Sequence, residues 1–197
     1  RSQSIYAPRP EGQARCLRNA YETAGVDPST VAMVEAHGTG TKVGDAVEFE
    51  ALRNVFEAAE PDKKQWCALG SVKSQIGHAK AAAGVASLVK AVIALHQRVL
   101  PGTIKVNLPN PKLDVDQSPF YLNTQTRPWF APDGQPRRAG VSSFGFGGSN
   151  FHAVLEEYPR AETDRAPAWD GSVEIVALST DARAALDDQL ADWQEFI

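Results

Sequence analysis

Apolar positions recur at helical spacing through residues 11–24, where Leu17, Ala20, Tyr21 and Ala24 share a face and Gly25 follows as a stop, so the pattern predicts a first helix. The run Val31-Ala32-Met33-Val34 reads as a strand, extended to 31–36, that ends in the polar, glycine-broken turn His37-Gly38-Thr39-Gly40-Thr41. A second helix is predicted from Asp45, its expected N-cap, to Phe56, with Phe49, Leu52 and Phe56 on its apolar face and Glu48 and Glu50 on a solvated one. A second strand at 68–72 leads into Lys73 and then Gly77-His78.

From His78 to about Val99 the pattern changes, because small and apolar residues leave almost no polar face in the middle of the segment. A helix that is apolar all round is buried in a layered protein or spans a membrane. Lys80, Lys90 and His96 interrupt the run too often for a bilayer, so a central helix between two sheets is expected. Beyond Pro101 strands are predicted at 120–124, 138–142 and 150–156, the last two joined by the hairpin turn Phe144-Gly145-Phe146-Gly147-Gly148. Residues 159–171 read as a linker of Pro, Ala and charge. A strand at 173–178 and an amphipathic helix at 182–197 then begin a further αβ unit.

The 197 residues suffice for one domain, or for one and a piece of a second. The net charge of −4 leaves no basic surplus to neutralise phosphates, so a nucleic-acid partner is not expected. No run of 18 apolar residues occurs, and no membrane span is expected. Cys16 and Cys67 lie far apart without CxxC spacing, which suggests neither a disulfide framework nor a metal site. The start at Arg1-Ser2-Gln3 has no Met and no apolar leader pattern, so the sequence is expected to begin inside something larger, in the cytoplasm.

Three segments place reactive side chains on glycine-rich turns at strand ends: 35–41, 70–78 and 140–150. In α/β folds, sites collect where strand ends present backbone N–H groups and helix N-termini. Three such turns suggest one shared site. Gly38, Gly40 and Gly44 imitate a dinucleotide fingerprint, but their spacing is one residue too long, and no P-loop pattern occurs. His37 and His78 lack the i, i+4 ligand pairing and carboxylate cluster of a metal hydrolase. His96 and His152, outside these turns, are expected to be structural or exposed.

The succession VEAHGTGTKVGD, GSVKSQIGHAKAAAGVASLVK and GVSSFGFGGSN, within about residues 10–158, closely resembles the C-terminal half of the β-ketoacyl synthase (ketosynthase) domains of type I polyketide synthases. The form SQIGH and the stretch NLPNPKLDVDQSPFYLNTQTRPW look most like polyunsaturated-fatty-acid synthases and related iterative enzymes. The resemblance implies an α/β fold: residues 1–158 as the C-terminal half of a thiolase-like, five-layer α-β-α-β-α domain. After the linker at 159–171, residues 172–197 resemble the start of a small αβ linker domain that leads towards an acyltransferase.

The implied activity is decarboxylative Claisen condensation of a cysteine-bound acyl chain with malonyl carried on acyl-carrier protein. Among the residues that match the family, His37 and His78 would offer N–H groups to the thioester oxygen, with activation of water or proton exchange at the leaving carboxylate left open to either. Lys73 would orient the site and lower the proton affinity of nearby histidines. Thr39 and Thr41 match threonines that bind the phosphopantetheine arm, and Phe146 matches the gating phenylalanine whose backbone N–H joins an oxyanion hole. No cofactor bound by the domain itself is implied. The partners implied are the N-terminal half of the fold, the carrier protein, a neighbouring acyltransferase domain and a second copy in a homodimer.

The family nucleophile is a cysteine in a strand-to-helix elbow of the N-terminal half. Cys16 is expected mid-helix and Cys67 at the opening of a strand, so neither has that setting, and this polypeptide alone is expected to be inactive. Two other classes stay open: a non-catalytic protein of the chain-length-factor type, and a thiolase-type enzyme acting on coenzyme A thioesters.

Overall fold

A computed structural model of the chain describes residues 8–132 and 134–158, apart from the side chain of Phe146. The expected linker at 159–171 and the αβ unit at 172–197 lie outside the described residues.

Helix α1 (Pro10–Ala24) opens with proline in its first turn and ends on Gly25 at φ 62, a left-handed cap that L side chains resist. Strand β1 (Met33–Glu35) leads through the His37 turn into α2 (Lys42–Ala59). Strand β2 (Cys67–Gly70) is followed by the single turn α3 (Lys73–Ile76) and then by α4 (Ala83–Gln97). The short strands β3 (Val99–Leu100) and β5 (Arg127–Pro128) pair antiparallel. Strands β4 (Phe120–Leu122), β6 (Arg138–Phe144) and β7 (Asn150–Glu156) complete the main sheet.

That sheet runs in the order β4-β2-β1-β6-β7. The first four strands are parallel, and β7 returns antiparallel to β6 with Phe144 opposite Asn150, as the hairpin reading expects. Alternation along each strand divides two cores. Val34, Cys67 and Leu69 pack with Leu17, Tyr21, Leu52 and Phe56 beneath α1 and α2. Met33, Ala68, Ala139 and Val141 pack with Ala91, Ala94 and Leu95 of α4. Fully buried side chains such as Phe56 and Leu52 each contribute about 1.5–3 kcal/mol of hydrophobic stabilisation. The result is three layers, with helices on both faces of a mostly parallel sheet.

Some expectations need correction. The apolar stretch after His78 is not one helix. The chain turns through Lys80, left-handed at φ 54, before α4 starts at Ala83. Nor is α4 enclosed: Ala91 and Ala94 meet the sheet, while Val85 and Ile93 stay 61% and 54% exposed, because no second sheet covers the outer face among the described elements. Thr41, not Asp45, caps α2, since its hydroxyl accepts the Gly44 N–H at 3.1 Å and the cap lies four residues earlier. Finally, Glu48 is buried rather than solvated; Glu50 is exposed as expected. No helix among the described residues is long and apolar enough to cross a membrane.

Candidate active site

Because β1, β2 and β6 are parallel, the turns that follow them emerge at one edge of the sheet. After β1 the chain reverses over His37 with Gly38 at φ 49 and Gly40 at φ 75. A Cβ on Gly38 would stand 2.7 Å from the Ser71 Cβ, so glycine is what lets the first and second turns touch. The Glu48 carboxylate, reaching up from α2, accepts the N–H of His37 at 2.7 Å and of Gly38 at 2.8 Å. Asp45 accepts the Gly40 N–H at 3.0 Å and closes the same turn.

The second turn carries Lys73 at the start of α3 and His78 just past Gly77. The third turn is closed by the Gly145 N–H on the Ser149 carbonyl at 2.8 Å, with Gly147 and Gly148 left-handed.

All three turns line one cleft of about 1440 Å³, whose walls include His37, Thr39, Thr41, His78, Phe144 and Gly147. The rings of His37 and His78 meet edge to face, with centroids 5.6 Å apart, and the Phe144 ring stands 6.0 Å from His37. The Lys80 N–H donates to Nδ1 of His78 at 3.0 Å, which leaves the proton of a neutral ring on Nε2. Nδ1 of His37 and Nζ of Lys73 are buried without a hydrogen-bond partner among the described residues. Thr39 and Thr41 face each other, hydroxyl to hydroxyl, at 3.1 Å. The backbone of Phe146 lies in the third turn, and the gating expected of its side chain lies outside what the structure describes.

Electrostatically the site favours a neutral His37. Burial lowers its pKa to about 4, helped by the Lys73 ammonium and then by His78. Burial also lowers the proton affinity of Lys73, against the pull of the Glu48 and Glu35 carboxylates. Glu48 is pushed up to about 7 by burial, opposed by the two N–H groups it accepts. Such shifts concentrate where chemistry is done.

Neither cysteine resembles an activated nucleophile. Cys16 does line the cleft, but its thiol donates to the Asn150 carbonyl at 3.2 Å and burial raises its pKa. Cys67 is fully buried in the core, and its thiol is likewise held protonated.

Glu48 cradles the first turn, a role that its charge alone does not suggest. The signal lay in spacing: Glu48, Leu52 and Val55 follow i, i+4, i+7, so the carboxylate occupies the apolar stripe.

The family of β-ketoacyl synthase C-terminal domains matches residues 1–107, and that of ketoacyl-synthetase C-terminal extensions matches residues 109–196. The chain belongs to the β-ketoacyl synthases. It is 53% identical over 169 residues to a component of the polyunsaturated fatty acid synthase of Thraustochytrium sp., a match that covers 84% of this chain and 6% of that protein. It is 48% identical over 166 residues to polyketide synthase PksL of Bacillus subtilis, covering 84% of this chain and 4% of the relative.

Among solved structures, the ketosynthase from module 6 of the bacillaene synthase of Bacillus subtilis superposes with a TM-score of 0.78 at 48% identity, over 81% of this chain and 28% of that one. The ketosynthase chain thus spans only a small part of the relatives it matches. The three layers described above belong to the thiolase-like fold of the ketosynthases.

Proposed function

We propose that this chain supplies the decarboxylating side of a β-ketoacyl synthase that condenses a cysteine-bound acyl chain with malonyl carried on acyl-carrier protein, within a polyketide or polyunsaturated-fatty-acid synthase. The observation that carries the reading is the meeting of His37 and His78, 5.6 Å apart, on one cleft beside the glycine-rich third turn. When malonyl loses carbon dioxide, the electron pair of the breaking C–C bond moves into an enolate, and negative charge gathers on the thioester oxygen. Two neutral imidazoles donate N–H to that oxygen. The enolate carbon then attacks the acyl thioester, and the cysteine thiolate leaves.

Each of the other residues has a part in this scheme. Lys73 disfavours protonation of His37 by charge repulsion, which keeps the imidazole a donor rather than a cation. Thr41 accepts the Gly44 N–H and shares one hydroxyl proton with Thr39, so the pair retains a donor for the phosphopantetheine arm. The Phe146 backbone N–H would serve the oxyanion of the condensation step, with its side chain as gate.

The reading needs a cysteine that Cys16 and Cys67 do not provide. We place it in an N-terminal half of the fold, which also suits the uncovered apolar face of α4 around Val85, Val89 and Ile93. A homodimer, with an acyltransferase domain next in the chain, completes the expected assembly. The two free thiols of this chain, Cys16 and Cys67, fit the reducing cytoplasm.

The test is to give the full-length synthase malonyl on carrier protein and malonyl on coenzyme A, and to measure carbon dioxide release. Preference for the carrier-bound form is expected; turnover of coenzyme A thioesters alone would indicate a thiolase-type enzyme, and no turnover a purely binding role.

A further inference from the structure

We propose that Glu35 and Lys90 form a positioning pair that ties the strand carrying His37 to the turn carrying Lys73. The inference rests on the functional reading above and adds two residues to it that touch no substrate.

Glu35 is the last residue of β1, two positions before His37, and it is fully buried. A carboxylate in such a place needs partners on both oxygens. One oxygen accepts the N–H of Val72, the residue just before Lys73. The other accepts from Lys90 Nζ at 2.7 Å, and that lysine side chain is itself only 10% exposed.

One side chain therefore joins three elements: β1, the start of α3, and α4. Sequence alternation makes this possible, since Met33 and Glu35 face the α4 side of the sheet while Val34 faces the other. Gly70, opposite Glu35 in the parallel register, keeps the space open, because a Cβ there would lie 3.3 Å from the Thr103 Cβ and 3.7 Å from Lys90 Nζ.

The anchor matters because α3 is a single turn without a side-chain cap of its own at Val72. Its other ties include Thr103, which bonds the Ser74 hydroxyl at 3.0 Å, and the Ile104 N–H, which the same hydroxyl accepts at 3.2 Å. They also include the Gly102 carbonyl, which Gln75 reaches at 2.9 Å, and the Ser71 hydroxyl, which accepts the Lys73 N–H at 3.4 Å. Glu35 is the tie that comes from the His37 strand. It also works with Glu48 to keep the Lys73 ammonium charged despite burial.

Stability alone does not explain the arrangement, for a buried ion pair can often be replaced by apolar residues without loss. An apolar pair could not accept the Val72 N–H. The geometry therefore assigns the carboxylate to alignment of the two turns.

The experiment uses the full-length synthase and three readouts: carbon dioxide release from carrier-bound malonyl, acyl uptake by the nucleophilic cysteine, and thermal unfolding. The double variant E35M/K90M removes both charges and the acceptor. It is expected to unfold somewhat below the wild-type temperature, because the buried Val72 N–H loses its acceptor. It should nonetheless remain folded and take up acyl groups normally, while decarboxylation falls by roughly tenfold or more through misalignment. E35Q/K90M, which keeps an oxygen for the Val72 N–H, is expected to recover most of that loss.

Wild-type decarboxylation in E35M/K90M, or an equal loss of acyl uptake, overturns the proposal. Should that variant fail to fold, Glu35→Asp decides. Its charge is kept but its reach is one methylene shorter, so loss of decarboxylation with acyl uptake intact supports the pair, and unchanged decarboxylation refutes it. A wild type that never decarboxylates malonyl sinks the functional reading and this inference together. An active wild type beside equally active variants sinks the inference alone.

Discussion

The imidazoles of His37 and His78, 41 positions apart in sequence, meet edge to face with their centroids 5.6 Å apart. Nothing local brings them together. The contact follows from parallel β1 and β2 delivering their turns to the same edge, and from Gly38 letting those turns approach closely. The chemistry proposed for the cleft depends on this meeting and on both rings remaining neutral.

The charge on Lys73 should be visible in the pH dependence of decarboxylation. His37 titrates at about 4 rather than 6.5, first because it is buried and then because Lys73 stands near. Removing a neighbouring positive charge makes the imidazolium easier to form, so Lys73→Met moves the acid limb of the rate profile upward, from near 4 towards 6.5. A limb that stays in place, measured on the full-length synthase with malonyl on carrier protein, contradicts the assigned role.

Glu48 should matter as a cradle for the first turn. Glu48→Ala leaves the half-buried N–H groups of His37 and Gly38 without their acceptor, at a cost below the roughly 1–3 kcal/mol of a fully buried donor. Thermal unfolding is expected to shift down, and decarboxylation to fall further than acyl uptake. Glu48→Gln retains one acceptor oxygen and should fall between. Unchanged stability in the alanine variant would show that water replaces the carboxylate.

The frame of this site was legible in the sequence because its parts are local. Strand ends, glycine turns and the stop at Gly25 each follow from a few neighbouring residues, and β6 and β7 came out within two residues of expectation. Most of what failed involved contacts distant in sequence; the cap of α2 is a local exception. Asp45 is a plausible cap by type, but Thr41 reaches Gly44 first. The burial of Glu48 depends on the two backbone amides that face it, and spacing reveals only that a charge sits among apolar neighbours. The outer face of α4 needs a partner that the described residues do not contain.

A separate expectation concerns acid stability. His152 bonds the Ser142 hydroxyl and the Tyr21 hydroxyl, each at 3.0 Å, and burial lowers its pKa to about 4. Between pH 6.5 and 4 the unfolded chain binds a proton that the folded one refuses, so stability is full above 6.5 and falls as pH drops towards 4. His152→Gln places an amide where Nε2 bonds the Tyr21 hydroxyl but cannot titrate, and should flatten that decline in melting temperature. An equally steep decline would place the acid-sensitive group elsewhere.

The most direct test compares wild type, His37→Ala and His78→Ala in the full-length synthase. Carbon dioxide release from carrier-bound malonyl is followed beside acyl uptake by the cysteine. Each substitution is expected to lower decarboxylation by about 10²–10³, the usual effect of losing one donor to a developing oxyanion, with acyl uptake nearly unchanged. Parallel loss of both steps, or decarboxylation that survives either substitution, would contradict the claim that the two rings serve one thioester oxygen.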